Sequence, residues 1–309
     1  MLISDAVRVT SGLEKAIFLH SRNATEMYSA DLGRVRQKIA WRCRLISAPL
    51  RVLPKFLIIG AMKSGTSSLF HYLAQHPQLI PARKKEVHYF DGGGSAVGGK
   101  YEKSLNWYRS HFPLRIMMPS NAMAYEATPM YIFHPLAAKH IYEVNSDIRL
   151  ILMLRNPTER AISHYFHTKN NSPHPASLHA TMAKEVERLS SGQGLTAKSP
   201  EIQDDTSYVG RGLYQKQIEK YLEYFDRSKM FIVNSEEFFD DPGRIFPELF
   251  EFLDIQTDSA IEDLTARNVA TRQKHVWPRT RKILDEFFRP YNEDLFVSLG
   301  KRYDWNEAA

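Results

Sequence analysis

The chain has 309 residues, 43% hydrophobic and 12% aromatic, enough for one large α/β domain with a substantial core and no need of a second. Its formal net charge of +6 favours anionic ligands, and no RNA- or DNA-reading motif accompanies it, so nucleic acid is not an expected partner. The single Cys43 excludes an internal disulfide and a cysteine-built zinc site. No apolar run nears the roughly 18 residues that span a bilayer, and residues 1–5 lack a basic stretch before an apolar one, so a soluble cytoplasmic protein is expected.

Residues 1–53 read as a basic N-terminal extension. Arg34, Arg36, Lys38, Arg42, Arg44 and Arg51 interleave with Val35, Ile39, Trp41, Leu45 and Ile46, which predicts an amphipathic helix. Two uses are open for it: packing on the domain, or peripheral contact with a membrane surface or an acceptor. From residue 54 strand and helix alternate. The expected order is a strand over 56–59, a helix over 66–75, a short strand near 123–126, a helix over 135–144, a strand over 150–154 and a helix over 157–168. A polar insertion over 169–205 follows, with a helix around 178–189, either a mobile flap or surface elaboration. A helix over 213–225, a strand over 230–234 and helices near 242–253 and 279–288 complete the chain. This alternation predicts a single domain over 54–309: α/β, P-loop-like, three-layered, with a mainly parallel central sheet flanked by helices and ligands at the carboxyl ends of its strands.

The run Phe56-Leu57-Ile58-Ile59-Gly60-Ala61-Met62-Lys63-Ser64-Gly65-Thr66-Ser67-Ser68 reads as a buried strand, a glycine-bounded loop and a helix start, the architecture of a phosphate cradle. Gly60 and Gly65 stand at Walker spacing, but Thr66 replaces the expected lysine and Lys63 lies inside the loop. That pattern points to a nucleotide phosphate and away from ordinary ATP hydrolysis. The strand over 150–154 runs into Arg155, where an NTPase would place a magnesium-holding aspartate. Asn156 suits an N-cap, Pro157 the first helical position, and Glu159 could close a capping box with Asn156. Arg155, with Ser163 about two turns on, makes a second anion site, and two such sites without a metal carboxylate suggest a nucleotide phosphorylated at both ends.

Lys63-Ser64-Gly65-Thr66-Ser67-Ser68 resembles the 5′-phosphosulfate loop of sulfotransferases that use 3′-phosphoadenosine 5′-phosphosulfate (PAPS), and the stretch from Arg155 to Ser163 resembles their 3′-phosphate motif. Within that superfamily the chain looks most like the heparan sulfate 3-O-sulfotransferase group and its bacterial relatives. Further matches are Glu86-Val87-His88-Tyr89-Phe90-Asp91, Glu126-Ala127-Thr128-Pro129-Met130-Tyr131, Arg211-Gly212-Leu213-Tyr214 and Gly300-Lys301-Arg302-Tyr303-Asp304-Trp305.

The resemblance implies transfer of a sulfuryl group from PAPS to an acceptor hydroxyl without a metal. The favoured acceptor is a sugar on a glycan or glycolipid, with a lipid or small-molecule alcohol next; a modified P-loop kinase and a silent anion-binding protein are the other readings. Lys63 would face the leaving bridging oxygen, and Ser64, Gly65, Thr66, Ser67 and Ser68 would hold the 5′-phosphate. Arg155 and Ser163 would take the 3′-phosphate, and Arg211, Gly212 and Tyr214 would help close the nucleotide site, unless Tyr214 is only a helix-core aromatic.

Glu86 would be the general base. Alternation would place Glu86, His88 and Phe90 on one face of an extended segment. His88 either supports Glu86, binds acceptor, or is a half-buried histidine with ordinary hydrogen bonds, and Asp91 either touches acceptor or caps the loop. Gly92-Gly93-Gly94 and Gly98-Gly99 would serve a lid over the acceptor cleft or a disordered loop. His164 and His167 share a helix face without further ligand types and read as ordinary surface histidines, so no metal is expected.

Departures from the family include Ala127 where the group has an active-site lysine, and Arg272-Gln273-Lys274 in place of its basic-glycine loop. The single cysteine cannot form the vertebrate disulfide hairpin and the animal membrane anchor is not expected, so a bacterial protein is expected and the sequons at Asn23 and Asn170 read as chance.

Overall fold

The computed structural model describes residues 34–92, 103–171, 177–192, 207–257, 261–265 and 276–305. The chain divides into two compact units, Met1–Pro49 and Leu50–Ala309. In the first unit residues 34–46 are helical, with Val35, Ile39 and Ile46 exposed at 51%, 57% and 82%.

The second unit is built on five parallel strands: β1 Phe56–Gly60, β2 Leu79–Pro81, β3 Met123–Ala127, β4 Arg149–Leu154 and β5 Met230–Asn234, in spatial order β2-β3-β1-β4-β5. Every residue of β1 is buried, as a central parallel strand covered on both faces requires. Successive side chains divide between the faces. Leu57, Ile59, Leu150, Leu152 and Leu154 enter one buried cluster, and Phe56, Ile58, Ile151 and Met153 enter the other. This is the expected three-layer α/β arrangement.

The helices are α1 Thr66–Leu73, α2 Leu105–Arg109, α3 Ala137–Val144, α4 Pro157–Asn171, α5 Leu178–Ser190, α6 Tyr214–Leu222, α7 Ser235–Asp240, α8 Pro242–Leu253 and α9 Pro278–Leu299. Three short elements, β2, α2 and α7, lie outside the sequence reading because three to six residues show no usable periodicity. The last helix passes the expected end at 288 and runs through Pro290 to Gly300, a C-cap at φ 65°. Burial of Leu295 and Phe296 outweighs the main-chain bond that Pro290 cannot donate.

The insertion is more than surface elaboration where it is described. Met182 of α5 is fully buried with Ala161, Ile162 and Tyr165 of α4 and Leu284 and Phe288 of α9, forming a third core. Residues 193–206, like Gly93, Gly94, Gly98 and Gly99 of the glycine loop and Arg272, Gln273 and Lys274, lie outside the described residues.

Candidate active site

The loop between β1 and α1 combines two left-handed residues, Lys63 (φ 68°) and Gly65 (φ 87°). A Cβ on Gly65 would approach the Phe239 ring to 2.5 Å, so both the conformation and the space demand glycine. Gly65 is the N-cap of α1, and no side chain caps it, so the start of the helix offers main-chain N–H groups to an anion. Ser67 is half-buried at this edge, whereas Thr66 and Ser68 are buried. The Ser64 side chain turns inward beside the Tyr214 hydroxyl, and its carbonyl accepts from Ser235 Oγ.

The second predicted anion site is next to the first. Arg155 Nη1 donates to the Lys63 carbonyl at 3.0 Å, and Tyr214 Oη donates to the Arg155 carbonyl at 2.8 Å. Burial first, and the Arg155 charge second, hold the Lys63 ammonium below the usual lysine range, while Glu86 acts the other way. Burial likewise lowers Arg155. An arginine close enough to depress the neighbouring lysine fits a polyanionic ligand, which would relieve that repulsion.

The start of α4 carries the predicted cap with a different partner. Asn156 Oδ1 accepts from the N–H groups of Thr158 and Glu159 at 2.9 and 3.3 Å. The reciprocal acceptor for the Asn156 N–H is Glu236 Oε1 at 3.0 Å, not Glu159, whose carboxylate pairs with Arg281 of α9. Tertiary placement of α7 and α9 decides this exchange. The terminal motif joins the same corner, with the Trp305 carbonyl accepting from Asn156 Nδ2 at 3.2 Å. Ser163 lies in α4 two turns further on and is buried at 2% exposure.

The segment after β2 brings Glu86, His88 and Asp91 together by a route other than the predicted one. Glu86 (φ 61°) and His88 (φ 56°) are both left-handed, so residues 86–90 are no extended strand. Phe90 leaves the face of Glu86 and His88 and joins Val87 and Tyr89 in the core. His88 Nδ1 lies 2.6 Å from the buried Asp91 Oδ2, and His88 Nε2 lies 3.5 Å from Glu86 Oε2. Lys85 Nζ pairs with Glu86 Oε1.

Burial would lower the His88 pKa, but hydrogen bonds to Asp91 and Glu86 override it and raise it to about 9. Burial would raise the Glu86 pKa, but the His88 hydrogen bond and the Lys85 charge bring it to about 2. The resting triad is therefore Glu86 carboxylate, His88 imidazolium and Asp91 at neutral pH.

A short turn, Gly210–Gly212, places the third predicted group. Arg211 is buried, its guanidinium 4.6 Å from the Phe133 ring centroid and its Nη1 3.3 Å from Met62 Sδ of the phosphate loop. A Cβ on Gly212 would meet Phe288 at 2.7 Å and Pro157 at 3.0 Å, so this glycine lets the turn approach the start of α4. Tyr214 is buried against Trp305, yet its hydroxyl reaches the Arg155 carbonyl, so it serves core and site together.

Sequence reasoning missed Glu185. From α5 its Oε1 accepts from Ser207 Oγ and Gly210 N–H and its Oε2 from Tyr208 and Val209 N–H, all at 2.9 Å. One buried carboxylate thus holds the turn that carries Arg211. No local pattern could reveal it, since its partners lie 22 to 25 residues away. Glu185→Ala is expected to lower unfolding free energy by about 3 kcal/mol, because three main-chain donors lose a charged acceptor. A denaturant melt checks this, and an unchanged midpoint would show that the turn holds without it.

His164 departs from its reading as a surface residue. It is fully buried, with its ring 4.8 Å from that of Tyr208, while His167 is exposed. Among the described residues no group of three or more His, Cys, Asp or Glu could hold a metal ion, and no helix is long and apolar enough to cross a membrane.

The sulfotransferase domain family matches residues 53–307. The membrane-associated sulfotransferase kil1 of Dictyostelium discoideum is 26% identical, over 85% of this chain and 69% of its own. Human heparan sulfate glucosamine 3-O-sulfotransferase 6 is 28% identical, over 82% of this chain and 74% of its own. Among solved structures, a sulfotransferase from Alicyclobacillus acidocaldarius superposes with a TM-score of 0.67 at 28% identity, covering 83% of this chain and 100% of its own. The family match takes in all five strands, the Lys63 loop, the Arg155 corner and the Glu86 segment, and this chain belongs to the sulfotransferase family.

Proposed function

We propose that this chain transfers a sulfuryl group from PAPS to a sugar hydroxyl on a glycan or glycolipid by direct in-line displacement. One observation carries the reading. The β1 strand that leads into the Lys63 loop pairs with β3 at Ile58 and Ala127, and the Ala127 carbonyl accepts from the Glu86 N–H at 2.9 Å, which brings Glu86 beside Lys63 closely enough to oppose the lowering of its pKa. A cation suited to a leaving phosphate oxygen and a carboxylate suited to a hydroxyl proton thus share one centre. PAPS supplies the sulfuryl group when bound. The start of α1 and Lys63 would hold its 5′ end, and Arg155, Ser163 and Arg211 would bind the 3′-phosphate and close the site.

Orientation and electrostatics then do most of the work, by analogy with phosphoryl transfer. Glu86 takes the acceptor proton, and His88, fixed by Asp91, orients Glu86. The sugar acceptor follows the 3-O-sulfotransferase relatives, named for a glucosamine of heparan sulfate. Ala127, where that group carries a lysine, argues for an acceptor of lower charge. No residue is assigned to a metal.

Thermal stabilisation by adenosine 3′,5′-bisphosphate, compared with ADP and Mg·ATP, tests the donor. A ligand at about 100 times its Kd stabilises the native state by roughly 2.7 kcal/mol. Stabilisation by the bisphosphate alone is the expected result. Preference for Mg·ATP would replace this reading with a kinase, and turnover only on lipid or small-molecule alcohols would move the acceptor class.

Cytoplasmic placement in a bacterium, with peripheral membrane contact, completes the proposal. The helix over 34–46 carries Arg34, Arg36, Lys38, Arg42 and Arg44 with no acidic residue, beside exposed Val35, Ile39 and Ile46.

A further inference from the structure

From the hydrogen bonds beneath the Glu86 segment we infer that Glu126 is a positioning residue for the general base, setting the left-handed backbone at Glu86 and His88 through the hydroxyls of Thr128 and Tyr131. The inference rests on Glu86 being that base.

Glu126 sits near the carboxyl end of β3 and is fully buried. Its Oε1 accepts from Thr128 Oγ1 at 2.6 Å and Tyr131 Oη at 2.7 Å, and its Oε2 accepts from Tyr108 Oη at 2.5 Å. Burial raises its pKa, and these three donors oppose that by favouring the carboxylate.

A hydroxyl has one proton to give. Once Thr128 and Tyr131 spend theirs on Glu126, their oxygens can only accept from the main chain above. His88 N–H donates to Thr128 Oγ1 at 3.4 Å, and Tyr89 N–H donates to Tyr131 Oη at 3.0 Å. The Glu86 N–H donates to the carbonyl of Ala127, the residue after Glu126, at 2.9 Å. Tyr108 adds a side-chain support, with its ring stacked on Tyr89 at 4.4 Å between centroids and 9° between planes.

The reason for such support is the backbone itself. Two non-glycine residues at positive φ within three positions are disfavoured alone and persist only where surrounding bonds over-determine them. The carboxylate makes both hydroxyls accept upward, toward His88 and Tyr89. Glutamine keeps the shape but contributes two donors of its own: with its nitrogen toward Thr128 and Tyr131 both hydroxyls must reverse, and with its nitrogen toward Tyr108 that hydroxyl reverses and the ring stacked on Tyr89 loses its anchor.

The test measures kcat, KM and bisphosphate affinity for Glu126→Gln, Glu86→Gln and the double variant, with the His88 titration followed by NMR. Glu126→Gln is expected to lower kcat about 10- to 100-fold, leave bisphosphate affinity within about twofold by the same positioning argument, and move the His88 pKa down from about 9. Because Glu126 acts through Glu86, adding it to Glu86→Gln should cost little more.

Full additivity of the two losses, or an unchanged kcat in Glu126→Gln, would overturn the inference. Retained activity in Glu86→Gln alone would overturn the base assignment and this inference with it. Should Glu126→Gln fail to fold, Tyr131→Phe removes the acceptor of the Tyr89 N–H while leaving the carboxylate, and the same non-additivity with Glu86→Gln is required of it.

Discussion

Glu86→Gln is expected to lower kcat by about 10² to 10⁴, the range over which a positioned general base acts, with bisphosphate affinity nearly unchanged. Glutamine preserves volume and removes the charge that Lys85 and His88 share. A resting carboxylate with a pKa of about 2 is a weak base, yet it would suffice for the proposed step. In a loose transition state the acceptor hydroxyl becomes acidic only as its bond to sulfur forms, so the proton leaves late.

The pH profile follows from the two shifts. Lost protonation of His88 should lower activity as pH rises through about 9, and protonation of Glu86 should lower it as pH falls toward about 2. The stability linkage has the same signs. The raised His88 contributes fully below its usual 6.5 and loses that contribution as pH rises through about 9. Glu86 contributes above its usual 4.5 and loses it as pH falls through about 2. In Glu86→Gln the alkaline limb should move down, since one of the two anions holding the imidazolium is gone. A near wild-type kcat on the true acceptor would remove Glu86 from proton transfer.

Lys63→Met should cost about 10² to 10³ in kcat, the loss typical of removing one group aimed at charge that develops in the transition state. Methionine retains most of the stem, and the loop's anchors remain: the Lys63 carbonyl still accepts from Arg155, and Gly65 still caps α1. Charge on the bridging oxygen is small in the intact donor and large once the sulfuryl group has left. The variant should therefore weaken binding of the bisphosphate product more than binding of PAPS. Rapid-quench single turnover, set beside equilibrium binding of both nucleotides, separates the two. Equal weakening of both with unchanged kcat would make Lys63 a uniform binding residue.

Much of the fold could be read along the chain because its central strands are short, almost wholly apolar and bounded by turn residues. Phe56 to Ile59 and Leu150 to Leu154 could be little else in an alternating pattern. The corner formed by the Lys63 loop and Arg155 was equally readable, since a glycine-bounded loop before a helix and an arginine after a strand are local features. Extended alternation around Glu86 failed as a geometric argument although it grouped Glu86 with His88. Left-handed backbone at two non-glycine residues leaves no periodic trace, and the bonds that hold the segment come to the N–H groups of His88 and Tyr89 from Thr128 and Tyr131, 40 and 42 residues away.

The chain by itself thus determined the sheet, the glycine-bounded loop, the cation beside it and the family to which these belong, because each is written in contiguous residues whose propensities agree. Only the tertiary structure decided which partners complete them. Glu236 replaces Glu159 at the α4 cap, Glu185 holds the Arg211 turn from α5, and Glu126 lies beneath the Glu86 segment. At Glu236 and Glu185 a carboxylate answers donors brought to it from distant sequence, and at Glu126 the local donors Thr128 and Tyr131 are joined by Tyr108 and carry its effect to a segment some 40 residues away. Buried polar groups must be satisfied somewhere, and which acceptor lies within reach is settled by packing rather than by local pattern.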